Sequence, residues 1–262
     1  MLLIALAVLL SLALHAQGLP LVEESVFQDG EVVSMSVMFK WGAINTEVAQ
    51  ASLTLEQETD CYHATLAART APFFDVFYKI RENFQSRFSL KDFRPMEAIR
   101  DTYESGYTAT NHFIYDWEAG VIRAEVSYRG GAPEYKEIPL KNSAFDIVTI
   151  IYYLRNLDWD QARAGQVCQV PFAIDDDVFN LNITYKGKEN LKVRKMGRFR
   201  TRHLSCSVVA GVLFEGDQEL EVWLSDDDNH LPLAVMVPLK VGTVWAWLKS
   251  TEGLKYDLTA KL

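Results

Sequence analysis

The stretch EVVSMSVMFKW, residues 31–41, sets apolar side chains at Val33, Met35, Val37, Phe39 and Trp41, with Ser34, Ser36 and Lys40 among the alternate positions. A period of two puts successive side chains on opposite faces, so this segment reads as a strand with one buried face, closed by Gly42. The pattern spreads from there. Leu53 and Leu55 mark a strand over 46–56, and strand-like runs follow at 61–68, 83–90, 96–103, 107–116 and 121–128. Ser105-Gly106, Glu118-Ala119-Gly120 and Gly130-Gly131 supply turns between them. Beyond residue 160 the pattern resumes at 167–174, 178–185, 191–195, 199–209, 220–224, 233–239, 243–248 and 254–260. A dozen or more short strands at such spacing predict an all-β chain, an antiparallel barrel or sandwich.

Two segments break the alternation. Phe73, Phe74, Val76, Phe77 and Ile80 recur at helical spacing after Pro72, which predicts a short amphipathic helix. Phe145, Val148, Ile151, Tyr152, Leu154 and Arg155 do the same over 144–157, with Ser143 as the expected cap. This second helix nearly bisects the strands and is expected to connect two β halves. No Pro/Gly/Ser-rich linker separates them, so 17–262 is expected to form a single domain.

Residues 1–16 carry no charged side chain, run through Leu2 to Leu14 almost without a polar residue, and end in Leu14-His15-Ala16. The stretch is too short to span a bilayer and fits a signal peptide cleaved near Ala16. The expected compartment is the periplasm. The first cysteine is Cys61, so no lipid-accepting cysteine follows the leader, and no later segment is apolar enough to cross a membrane as a helix. Cys61, Cys168 and Cys206 permit one disulfide at most; the alternative reading is three small buried hydrophobes. A formal charge of −9 argues against a general nucleic-acid binder.

The early strand followed by Gly42, the helix FDIVTIIYYLR at 145–155, the strand opening at 197–199 and WLSDDDNHLPL at 223–233 stand in an order that resembles the exported bacterial domain-of-unknown-function family three-one-zero-eight. The resemblance implies a periplasmic, mostly antiparallel β-barrel. Its architecture would be similar to that of a capsule-operon lipoprotein and, more loosely, of lipoprotein-carrier barrels. It implies no catalytic residue, and no cofactor is expected.

Several constellations qualify as sites. Arg155, three residues from Tyr152, is read either as an anchor for an anionic ligand group at a barrel mouth or as a structural cation paired with a loop carbonyl or an acid. Between residues 186 and 203 eight Lys and Arg face one acid, Glu189. If Met196-Gly197 turns a hairpin, Lys192, Arg194, Arg198, Arg200 and Arg202 build a cationic face for lipid head groups or an acidic glycan; the plainer reading is a solvated hairpin protected from edge pairing. Phe73, Phe74 and Phe77, with Trp245 and Trp247, are candidates to line an apolar cavity in an incompletely filled barrel. The triplets Asp175-Asp176-Asp177 and Asp226-Asp227-Asp228 lack the ligand spacing of a calcium loop, and no catalytic or metal motif appears. The leading expectation is a non-enzymatic binder or carrier of an apolar or amphiphilic envelope component, a lipid or lipid-linked glycan. A scaffold of envelope or polysaccharide assembly comes second and a glycan-active enzyme with scattered carboxylates third.

Overall fold

The computed structural model describes residues 18–140, 144–174, 177–209 and 219–262. The expected leader at 1–16, Ser143 and Asp175-Asp176 lie outside them. Fourteen antiparallel strands form one sheet: β1 (Val32–Trp41), β2 (Ile44–Gln57), β3 (Cys61–Thr70), β4 (Ile80–Ser89), β5 (Pro95–Glu104), β6 (Tyr107–Asp116), β7 (Val121–Tyr128), β8 (Glu134–Pro139), β9 (Val167–Ile174), β10 (Asp177–Val193), β11 (Gly197–Val209), β12 (Leu220–Ser225), β13 (Pro232–Pro238) and β14 (Thr243–Glu252). They run in the order β8-β7-β6-β5-β4-β3-β2-β1-β14-β13-β12-β11-β10-β9. Both halves are plain meanders, and the pairing of β1 with β14 joins them into a barrel-like sheet.

The helix between the halves, α1 (Thr149–Arg155), lies inside the curl of the sheet, with Thr149, Tyr152 and Arg155 shielded from solvent. It spans seven residues, fewer than the expected 144–157. Leader-side residues cross beneath its C-terminal end, where Val22 N–H donates to the Asn156 carbonyl.

Because each strand reverses the last, connections alternate between two ends. One end, here called the rim, carries the turns at 41–44, 71–79, 104–107 and 239–242; the other, the base, carries 58–60, 90–94, 117–120 and 226–231. The even-numbered side chains of β4 turn inward, where Phe88 meets Tyr152 and Ser86 meets Asp146, while Arg87 faces out toward Glu58.

Four sequence expectations are corrected. Residues 73–80 form only a single 3-10 turn at Phe74–Val76 with nothing buried, because Phe73, Phe74 and Phe77 pack on one another instead of on the barrel. Runs 178–185 and 191–195 are one strand, β10, which continues through Gly187 by a register shift. Residues 254–260 form no strand; the tail bonds to β11 only near its end, through Lys261 opposite Phe199. Strand β8 was not anticipated, because its pattern of exposed Glu134, Tyr135 and Glu137 with only Ile138 buried is that of a charged edge.

Candidate functional site

A seven-residue helix is not stable alone, so its ends must be held. Asp146 takes the capping role expected of Ser143: its Oδ1 accepts from the N–H groups of Val148 and Thr149, and Ser86 Oγ donates to the same atom at 2.6 Å. Burial pushes the Asp146 carboxyl up, against these hydrogen bonds. At the other end Asn156 Nδ2 donates to the Tyr152 carbonyl while its Oδ1 accepts from Val26 N–H.

The helix shows two different faces. Toward the base, Tyr152 packs among Phe27 and Phe88, with ring centroids 4.8 and 5.3 Å away. Arg155 lies among the same rings, with zero exposure, and makes a two-pronged bond to Glu31 at 2.5 and 2.9 Å. Its Nε and Nη2 also donate to the Asn229 carbonyl. His230 Nδ1–H donates to the Arg155 carbonyl at 2.6 Å, and burial holds the imidazole below its ordinary pKa. The structure thus places Arg155 buried at the base, paired with an acid and a loop carbonyl.

The other face of the helix segment, Ile147, Ile150, Ile151 and Leu154, borders a partly open cavity of about 400 Å³. Its opposite walls come from β1–β3, through Val33, Leu53 and Leu66, and from β10–β13, through Leu181, Leu204, Val222 and Val235. No charged residue lines it among the described residues. The cavity runs from Val33, Leu224 and Pro232 at the base ends of β1, β12 and β13 to Leu181 and Leu220 near the rim ends of β10 and β12. Ile147 also borders a much smaller niche of about 30 Å³ with Arg100, Asn111, Ser86 and Asp146. Asn111 is buried there, and neither its amide nitrogen nor its oxygen has a hydrogen-bond partner.

The remaining candidates are placed elsewhere. Phe73, Phe74 and Phe77 stand outside the barrel at the rim and do not line the cavity. Trp245 and Trp247 share a strand face, as expected, but it is the outer one: Ala246, between them, pairs with the cavity residue Val235. There the two indoles continue a stack through Trp223 to His203, with centroids 4.6 to 5.4 Å apart.

The basic hairpin forms, with its turn at Arg194–Met196, yet its cationic face is smaller than expected. Arg202 is only 4% exposed, clamped by Asp226 at 2.9 Å and Asp160 at 3.1 Å, and Lys188 shares Asp226. Arg194 leaves the strand and turns to Met38 and Glu47. Lys192, Arg198 and Arg200 remain exposed. Asp227 accepts from Ser225 Oγ and from the N–H groups of Asn229 and Ala260, so the second acidic triplet organises a turn.

The cysteines are free and buried. Cys168 and Cys206 both pair with Ile183, from opposite sides, which leaves a whole strand between them and no disulfide geometry. Burial pushes the Cys206 thiol up to about 12.

Sequence reasoning missed the cavity walls. The helical periodicity read at Phe145, Val148, Ile151, Tyr152, Leu154 and Arg155 takes in Ile151 and Leu154 of the lining but not Ile147 or Ile150, and periodicity does not show what faces a helix.

Taken together, the wrapped meander and the internal helix define a β-barrel-like protein with an apolar cavity. The chain belongs to the family described as protein of unknown function DUF3108, whose pattern matches residues 35–249. Its fold is similar to the crystal structure of a β-barrel-like protein of the unknown-function family DUF1849 from Brucella abortus, with a TM-score of 0.59 at 8% identity, over 88% of this chain and 100% of that one. A putative exported protein with YmcC-like fold from Bacteroides fragilis aligns over 90% of this chain and 99% of its own, at 8% identity and a TM-score of 0.36. No curated protein matches the sequence. Among the described residues no helix is long and apolar enough to cross a membrane.

Proposed function

We propose that this protein is a non-enzymatic periplasmic binder or carrier that takes the acyl portion of an amphiphilic envelope lipid, or of a lipid-linked glycan, into the cavity beside α1. The observation that carries the reading is that cavity: about 400 Å³, within the range of ~300–1,000 Å³ typical of small-molecule pockets, with walls of Leu, Ile, Val, Met and Phe. A barrel built only as a scaffold has no reason to leave such space, since interiors ordinarily close-pack and an unfilled apolar void costs stability. The niche at Asn111 supports an amphiphile over a plain hydrocarbon, because it sets an unpartnered amide one residue, Ile147, away from the apolar walls. The charge-free leader at residues 1–16 supports export.

The test is to extract and identify lipids from protein purified under native conditions from a bacterial periplasm, and to titrate the delipidated protein with dansyl-undecanoate. Stoichiometric lipid and saturable fluorescence are expected, with Val222→Phe, which fills the cavity, weakening the probe about tenfold or more. A delipidated wild type that gives no saturable signal, or a Val222→Phe variant that binds as wild type does, overturns the reading.

A further inference from the structure

Three rim connections stand side by side, because β3, β2, β1, β14 and β13 are successive neighbours in the sheet. The β1–β2 turn presents Trp41 and Ile44; the β3–β4 connection presents Phe73, Val76, Phe77 and Tyr78; the β13–β14 turn presents Leu239 and Val241. All are exposed, with Phe73, Val76 and Phe77 at 72%, 84% and 73%. Gly242 fixes the contact between two of the turns: its φ is +78°, and a Cβ there would stand 2.5 Å from the Lys40 carbonyl and 3.1 Å from Trp41 Cβ. Ala71 N–H, donating to the Val48 carbonyl, ties the third connection to β2.

Each apolar group carries a lysine at its border, Lys40 beside Trp41, Lys79 beside Tyr78, and Lys240 between Leu239 and Val241. Asp75, the acid within the β3–β4 connection, is bonded to Arg81 at 2.5 Å and brings no uncompensated negative charge. Glu104 reaches the same surface, where it accepts from the Tyr78 hydroxyl.

Soluble monomers rarely expose contiguous apolar surface without using it. Aromatic and aliphatic tips bordered by lysines match a bilayer interface, where the rings sit at head-group depth and the ammonium groups meet anionic phosphates. The chain as a whole is acidic, so a cationic, apolar rim is a local feature and not a by-product of net charge. We infer that the rim is a membrane-docking surface for anionic phospholipid bilayers, entered by Trp41, Phe73, Phe77 and Val241 and held by Lys40 and Lys79. It rests on the carrier reading and extends it, since the walls of the apolar cavity reach the rim-side ends of β10 and β12 at Leu181 and Leu220.

Flotation of the full chain with vesicles of phosphatidylethanolamine and phosphatidylglycerol, against vesicles of phosphatidylcholine, tests it. Binding to the anionic vesicles is expected, falling with added salt. Phe73→Ser/Phe77→Ser is expected to reduce it about tenfold or more, and Lys40→Glu/Lys79→Glu to remove its dependence on phosphatidylglycerol. Both pairs are exposed, so folding and dansyl-undecanoate binding should be unchanged. Val222→Phe should dock like wild type even if it binds no probe, so the docking proposal and the cavity reading fail separately. Wild type that does not float overturns the proposal, as does a Phe73→Ser/Phe77→Ser variant that floats equally well. Loss of a dimer in that variant, without any vesicle binding by wild type, assigns the rim to a second copy and overturns it too.

Discussion

The two faces of α1 look at opposite solutions to one problem, how to fill a barrel. At the base, Tyr152 packs in a buried cluster with Phe27, Tyr62, Phe88 and Phe93, and Arg155, over the Phe27 ring, is paired with Glu31 and the Asn229 carbonyl. On the other face, Ile147, Ile150, Ile151 and Leu154 pack against aliphatic strands and border the cavity. The helix is thus fixed by its polar and aromatic side and borders open space on its aliphatic side. Rigid anchoring at one end is what permits a cavity at the other, because a seven-residue helix with both faces loose would not hold its place.

The largest expected effect breaks the base. Replacing Glu31 by Ala, or Arg155 by Met, leaves an uncompensated charge in a site with zero exposure and should cost ~3–5 kcal/mol in chemical denaturation. Glu31→Leu combined with Arg155→Met should recover much of that loss. Single variants within ~1 kcal/mol of wild type would show that the base does not anchor the helix. A smaller effect separates the two regions by their response to added volume. Ala64 is fully buried in the packed cluster, so Ala64→Leu should cost ~1–3 kcal/mol, the ordinary penalty of overpacking. Val222→Phe adds bulk to the cavity wall and should be neutral or stabilising by the same denaturation measurement. Equal losses in the two variants would mean that the interior is uniformly packed.

Most of the fold was legible because it is written in short-range patterns. Alternation in 31–41 and its successors needs only the pleat of a strand, and the meander needs only short turns. Legibility ended where distant residues decide. Glu31 and Arg155 are 124 positions apart, and nothing in Tyr152's spacing to Arg155 shows which acid the guanidinium will meet. The same blindness affected the basic hairpin: Arg202 reads as a surface cation until Asp160 and Asp226 fold over it. Phe73 and Phe77 failed in the other direction, since aromatic residues at helical spacing suggest burial while the chain displays them at the rim. Pattern shows which side chains share a face; only tertiary contact shows whether anything covers that face.

The smallest expected effect uses pH to tilt the two regions in opposite directions. Glu82 lies on the row of β4 that continues from Ala51 in the cavity wall through Ala68. Desolvation raises its pKa to about 7 despite the hydrogen bond from Thr102, and Glu104 pushes the same way. Its ionised form is therefore disfavoured in the folded state. The penalty is full above pH 7, shrinks as the pH falls toward the model-compound value of 4.5, and vanishes below it. His230 at the base has the reverse sign. Burial lowers its pKa below 6.5, so the folded state resists protonation, and stability there is lost as the pH falls below 6.5. Lowering the pH from 7 toward 5 should raise the amide protection factors, corrected for the intrinsic pH dependence of exchange, in β4 and β5 around Glu82 and lower them in 226–231 and the C-terminal turn of α1. Glu82→Gln should abolish the first change alone. His230→Asn, which keeps an amide donor and tolerates the left-handed backbone at φ 43°, should abolish the second alone. If both regions instead respond in the same direction, the barrel opens as one unit, and the anchored base is not mechanically separate from the cavity above it.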